Sequence, residues 1–303
     1  MAALLERIER AGRPPFHRMR PDDARAAYEQ VAEVLDLPRA PVNAVRDIHL
    51  PGGQGARLAA RWYRPQAETR GTVLYLHGGG FTIGSLETHD SLCRQLALHS
   101  GADVVALDYR LAPEHRFPAA VDDAWAAMGF LAERGHTLGL DGARLAVAGD
   151  SAGGTIAAVC ALHARDTGLS LRLQLLITPG TTALADTASH RQFAQGYLLD
   201  AESIEWFFAH YLDAEQRHDW RFAPLNAEYV DGVAPAFVLL AECDPLVDEG
   251  LAYADRLRWA GVAVELDLVR GVTHDFIKMG RSLEQARVAQ ADAGRALRKA
   301  FET

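Results

Sequence analysis

An α/β fold, with a mostly parallel central sheet, helices on both of its faces and a helical cap, is what this 303-residue sequence predicts. The first sign is a series of short, largely apolar runs, Thr72–Leu76, Asp103–Leu107, Leu145–Ala148, Leu171–Ile177 and Ala236–Ala241, which have the length and composition of strands buried on both faces. The second is that helical stretches separate most of these runs, and alternating strands and helices close into a parallel sheet through right-handed crossovers. The third is an interval of about 58 residues between Ile177 and Ala236, too long for an ordinary crossover. It reads as an insertion, and one leaving the carboxyl end of a strand lies over the place where open α/β sheets bind ligands.

From the N-terminus, residues 1–45 read as helical and as part of the cap. Leu4, Leu5 and Ile8 share one face, and after Pro21 the residues Ala24, Ala27, Tyr28 and Val31 repeat the spacing. Prolines at 14, 15, 38 and 41 punctuate the segment. Arg46–Leu50 and Arg57–Tyr63 are extended runs on either side of Pro51-Gly52-Gly53, a hairpin signal that places an antiparallel edge on the sheet. The core, residues 46–180 and 221–303, carries the alternation, with helices expected at Ser91–Leu98, Ala119–Arg134, Ala152–Arg165, Gly250–Trp259 and Leu283–Phe301. Its last strand, Val262–Val269, mixes apolar residues with Glu265 and Asp267, the pattern of a strand with one wetter face near a sheet edge. The inserted cap segment, residues 181–220, contains the aromatic helical stretch Ser203–Leu212.

Composition excludes several function classes. The 31 Lys and Arg are scattered and outnumbered by 40 Asp and Glu, so a phosphate-backbone binder is excluded and nucleic acid is not an expected partner. With 49% hydrophobic and 23% charged residues the chain is expected to fold throughout. Cys93, Cys160 and Cys243 form no C-x-x-C pair and there is no H-E-x-x-H, so neither a disulfide framework nor a metal site is expected. Glu6, Arg7, Glu9 and Arg10 interrupt the N-terminal apolar residues, and no window reaches about 18 uninterrupted apolar residues, which points to a cytoplasmic protein without membrane contact.

The chemistry concentrates after four of the strands. Gly149-Asp150-Ser151-Ala152-Gly153-Gly154 follows an apolar strand and opens a helix, the strand–turn–helix setting that makes G-x-S-x-G a nucleophile elbow. A developing oxyanion needs N–H donors roughly 3 Å away, and His77-Gly78-Gly79-Gly80-Phe81, again directly after a strand, supplies backbone with the least obstruction. Gly78 and Gly79, joined by Ala152 at the start of the elbow helix, are the candidate donors, and His77 is expected to hold the loop. No phosphate-binding glycine pattern fits the triple glycine. A serine needs a base and the base an orienting acid, in the order Ser, Asp or Glu, His after the last two strands. His274 stands alone among the 12 histidines in the loop after the final strand, His89 and His115 being nearer rivals than the rest. Glu242, Asp244 and Asp248 cluster after the strand before it. Asp244 sits in the loop and is taken as the acid, with Asp248 as the structural alternative where a helix cap or first-turn acid belongs. Asp108 and Asp122 read as loop or cap residues. Tyr28, Phe81, Tyr197, Trp206, Phe207 and Tyr211 are candidates to line a substrate pocket.

His77–Gly80 with Gly149–Gly154, Asp108-Tyr109-Arg110-Leu111-Ala112-Pro113-Glu114, Asp244–Gly250 and His274-Asp275-Phe276 together resemble the hormone-sensitive-lipase-like family of microbial carboxylesterases, over about residues 15 to 301. The resemblance implies an α/β-hydrolase core under a helical cap, no cofactor, and hydrolysis of short-acyl carboxylic esters by Ser151, Asp244 and His274 with Gly78, Gly79 and Ala152 as oxyanion donors. The partner implied is a small-molecule ester, and a homodimer is compatible with it. Thr178, before Pro179, and Val247, where a basic residue is common, depart from the family pattern and bear on pocket shape. The same triad on the same fold serves amide or formamide hydrolases, and a non-catalytic small-molecule receptor is the reading from another class, disfavoured because all three triad positions are filled.

Overall fold

The computed structural model describes residues 1–302, the side chain of Glu33 apart. Among the described residues eight strands form one sheet: β1 (Ala44–Pro51), β2 (Arg57–Arg64), β3 (Thr72–Leu76), β4 (Asp103–Leu107), β5 (Leu145–Asp150), β6 (Gln174–Ile177), β7 (Ala236–Cys243) and β8 (Val264–Thr273), in the spatial order β1-β2-β4-β3-β5-β6-β7-β8. The hairpin β1–β2 pairs Leu50 with Leu58 and joins β4 antiparallel, and every later pairing is parallel. The helices are α1 (Ala2–Arg10), α2 (Pro21–Leu35), α3 (Asp90–Ser100), α4 (Ala119–Arg134), α5 (Ala152–Thr167), α6 (Ala188–Gln192), α7 (Ala201–Tyr211), α8 (Val247–Trp259) and α9 (Glu284–Glu302).

Strand β3 shows why the fold has two apolar layers. Successive side chains of a strand face opposite ways, so a wholly apolar strand needs cover on both sides. Val73 and Tyr75 join Leu92 and Leu96 of α3 and Ala289 and Leu297 of α9. Leu74 and Leu76 join Val121 and Ala124 of α4 and Ile156 and Val159 of α5. Each such side chain, removed from water, contributes roughly 1.5–3 kcal/mol, which is what commits these short runs to the centre of the sheet.

Several boundaries differ from the sequence expectation, and two of the differences shape the site. Strand β8 continues four residues past the expected end because of an irregularity opposite Ala241 and Cys243, after which Cys243 pairs with Thr273. The Glu242 carboxylate closes that step by accepting from the Gly271 N–H at 2.7 Å. Helix α8 begins at Val247, ahead of the expected Gly250, so Asp248 and Glu249 lie in its first turn.

The N-terminal segment divides between two surroundings. Leu4 of α1 is buried in the layer of α3 and α9, whereas Ala24 and Tyr28 of α2 pack with Ile83, Phe16 and Phe207. The insertion meets that second group. Helix α7 lies against the single turn Phe16–Arg18, where His17 Nε2 is 2.9 Å from the Glu202 carboxylate. Among the described residues no helix is long and apolar enough to cross a membrane.

Candidate active site

Because β3, β5, β7 and β8 run parallel, their carboxyl ends bring four sequence-distant loops to one edge of the sheet. At the first, between β5 and α5, Ser151 holds φ 54° and ψ −122°, a conformation L residues adopt only when their surroundings enforce it. The enforcement is steric. A Cβ on Gly153 would fall 1.9 Å from the Leu76 carbonyl oxygen and one on Gly149 would fall 2.3 Å from the Gly153 backbone, so chain and helix approach more closely than any other residue permits. The Ser151 N–H is fixed to the Ile177 carbonyl at 2.8 Å.

The Ser151 Oγ lies 2.9 Å from His274 Nε2, and His274 Nδ1 lies 2.7 Å from an oxygen of Asp244. A carboxylate only accepts, so the Nδ1 proton belongs to that bond and Nε2 is left as an acceptor for the serine hydroxyl. The other Asp244 oxygen accepts from the Leu246 N–H at 2.9 Å. The pairing of Cys243 with Thr273 explains the juxtaposition, since Asp244 and His274 are the residues that directly follow β7 and β8. Burial works against the imidazolium. The charge and hydrogen bond of Asp244, with Asp275 and Asp150, outweigh it and hold His274 above the ordinary imidazole range.

The alternatives to Asp244 and His274 are engaged elsewhere. Asp248 accepts from the Ser189 N–H at 2.8 Å and so pins α6 to the start of α8. His89 Nε2 is 3.1 Å from the Asp150 carboxylate, and His115 is exposed.

Gly78 needs a correction. Its N–H donates to Asp150 Oδ1 at 3.0 Å, so this amide is occupied and not open to a substrate oxygen. Gly79, at φ 124°, and Gly80, at φ 56°, come next, and among the described residues neither of their N–H groups donates to a protein acceptor. Ala152 stands at the first turn of α5, where helix N–H groups lack intrahelical partners, so its N–H, like those of Gly79 and Gly80, is open to an external acceptor.

Asp150, which sequence reasoning passed over although it lies inside the elbow motif, is a buried hub. Besides Gly78 it accepts from the Tyr75 hydroxyl at 2.5 Å and faces His89. Burial alone would raise its carboxyl, but His89, Lys278 and Tyr75 hold it well below the usual carboxylate range. His77 steadies the same loop. Its Nδ1 donates to the Gly78 carbonyl at 2.9 Å and its ring stacks on Tyr109 at 4.3 Å, while burial and His89 push it down to about 3, so it stays neutral.

The six aromatic candidates do not form one wall. Phe81 and Tyr211 stack at 4.0 Å and are buried with Phe117 and Phe222. Phe207 rests on the glycine loop, for a Cβ on Gly80 would lie 2.2 Å from its ring. Trp206 packs edge-on to Phe207, Tyr197 packs edge-on to Phe193, and the Tyr28 hydroxyl donates to Asp275 at 3.2 Å.

Comparison with known proteins adds an independent line. A family model described as alpha/beta hydrolase fold matches residues 73–278. Ethyl acetate hydrolase of Pseudomonas putida is 42% identical, the match covering 94% of this chain and 93% of that one. Esterase LipI of Mycobacterium tuberculosis is 43% identical over 87% of this chain and 84% of its own. Among solved structures, a thermostable esterase from Pseudomonas putida ECU1011 superposes with a TM-score of 0.95 at 36% identity, covering 99% of this chain and 96% of that one.

Proposed function

The chain belongs to the alpha/beta hydrolase fold family, in its hormone-sensitive-lipase-like branch, and is a carboxylic ester hydrolase; on that premise we propose that it cleaves short-acyl esters through an acyl-enzyme on Ser151. The observation that carries this reading is the hydrogen-bonded line Ser151–His274–Asp244, with steps of 2.9 and 2.7 Å.

In this reading His274 Nε2 takes the hydroxyl proton as the Ser151 Oγ attacks the ester carbonyl. The carbonyl oxygen, now negative, is held by the N–H groups of Gly79, Gly80 and Ala152, donors fixed before the reaction begins and therefore free of reorganisation. Asp244 holds the Nδ1 proton and stabilises the imidazolium that forms. His274 then returns its proton to the departing alkoxide and the alcohol leaves. Water enters, gives a proton to His274 and attacks the acyl carbon. The carboxylic acid departs as Ser151 recovers its proton.

Whereas α1 packs with α3 and α9, the cap in this proposal is made from residues 181–220 and the part of residues 1–45 that holds the Phe16–Arg18 turn and α2, over a core of 46–180 and 221–303. Its support is the contact of α7 with the Phe16–Arg18 turn and the seat of Phe207 on Gly80. A closed pocket gains roughly 0.8 kcal/mol per buried CH₂ until it is full, after which further methylenes stay in water or displace cap side chains. A p-nitrophenyl ester series from acetate to palmitate tests this. An optimum near four to eight acyl carbons is expected, and a rate that climbs to palmitate, or jumps above the solubility limit of a long-chain triglyceride, would overturn the short-acyl assignment. We also propose a cytoplasmic setting, in keeping with Cys93, Cys160 and Cys243 as free thiols.

A further inference from the structure

We propose that Asp275, gripped by Tyr28 and Lys278, is a positioning residue for His274, and that helix α2 must be docked on it for the Ser151–His274–Asp244 line to assemble. This rests on the reading above of His274 as the base.

Asp275 follows His274 directly and holds φ 62°, a left-handed conformation that Asp tolerates better than most L residues and that outside contacts support here. The support is polar and buried. The Tyr28 hydroxyl donates to Asp275 Oδ2 at 3.2 Å, and Lys278 Nζ donates to the Tyr28 oxygen while lying 3.7 Å from the same carboxylate. The ammonium also sits 4.4 Å from the centre of the Tyr28 ring. The Lys278 N–H closes the turn on the Asp275 carbonyl at 3.1 Å.

A lysine with only 6% of its surface exposed is retained at a charge-burial cost that only well-placed partners offset. None of these three groups takes part in the proton transfers. What they do is tie the turn carrying the base to an N-terminal helix 247 positions earlier in the chain. The other ionisable groups facing this cluster include Asp36 just after α2, Asp150 at the end of β5, His77 after β3, Tyr75 and Tyr109, with the His89 ring 6.5 Å from that of Tyr28. Burial opposes the ammonium, yet Asp275, Tyr28 and Asp150 keep Lys278 charged, and burial followed by Asp275 keeps Tyr28 a neutral phenol. Asp275 in turn is one of the carboxylates that raise His274.

The test uses the full-length protein and two conservative variants. Tyr28→Phe removes one oxygen and keeps the ring against Phe16. Asp275→Asn keeps tolerance of the left-handed turn and an acceptor for Tyr28 but removes the charge. With p-nitrophenyl butyrate, Tyr28→Phe is expected to lower kcat roughly 10- to 100-fold, as misplacement of a catalytic group does, with KM within about twofold. Asp275→Asn is expected to shift the acid limb of the kcat/KM profile to lower pH. An unchanged kcat in Tyr28→Phe, including a rise in KM alone as for a pocket-wall residue, overturns the proposal. So does an unmoved acid limb in Asp275→Asn. Organophosphate labelling of the wild type separates the two levels. A label on Ser151 with an unchanged Tyr28→Phe kcat overturns this inference alone, and a label on another serine overturns the catalytic reading and this inference with it.

Discussion

Two turns carry the proposed nucleophile and the proposed base, and each holds a non-glycine residue at positive φ, Ser151 at 54° and Asp275 at 62°. They are maintained by different means. The elbow is imposed by its own neighbours, because Gly149 and Gly153 flank Ser151 by two residues and let Leu76 press against the chain. The histidine turn has no glycine of that kind. It is set by contacts across the fold, by the Cys243–Thr273 pairing that brings Asp244 alongside and by Tyr28 and Lys278. Strain enforced locally leaves a motif in the sequence, and strain enforced by tertiary contacts leaves only residues whose purpose appears once the chain is folded.

The sharpest break of this contrast is at the elbow. Ser151→Ala is expected to lower kcat by about 10⁵–10⁶ with circular dichroism unchanged, since removing a serine nucleophile abolishes the covalent route while Ala fills the same backbone position. Asp244→Asn comes next, with kcat down roughly 10³–10⁴ because an amide favours the wrong imidazole tautomer. Asp248→Asn provides the control. Its carboxylate serves the Ser189 N–H, so it is expected to cost at most about 1 kcal/mol in chemical denaturation and to leave turnover near wild type.

The pH profile probes the histidine turn. His274 acts as a base only when neutral, and Asp244 holds its pKa above the usual imidazole value near 6.5. Activity is therefore expected to rise with pH through an acid limb lying above about 6.5. Asp244→Asn, stripped of that carboxylate, should show its residual activity on a limb displaced to lower pH. A limb at or below the ordinary imidazole value in the wild type would mean that Asp244 does not govern the titration. A modest effect is expected at Phe207, which touches the glycine loop through its ring. Phe207→Leu should change the relative rates of butyrate and octanoate esters by about tenfold or less, the scale of one or two methylenes in a pocket.

Legibility followed the same division. Thr72–Leu76, Asp103–Leu107 and Ala119–Arg134 were bounded correctly because apolar periodicity and flanking breakers are local signals. The extension of β8 to Thr273 was not visible, since it depends on the Glu242 carboxylate reaching the Gly271 N–H. The short helix α6 went unseen for want of length, its place being set by Thr187 as cap and by Asp248. At the site, the glycine loop was visible but its register was not. Choosing Gly79 and Gly80 over Gly78 requires knowing that Asp150, 72 residues away, takes the Gly78 amide.

The central claim is that Ser151 is the nucleophile, and covalent labelling tests it most directly. The protein is treated with diethyl p-nitrophenyl phosphate, and the modified residue is located by mass spectrometry of its peptides. One phosphoryl group per chain, on Ser151 and lost together with esterase activity, is the expected result. Activity that survives full phosphorylation of Ser151, or inactivation through a label on any other residue, would contradict it.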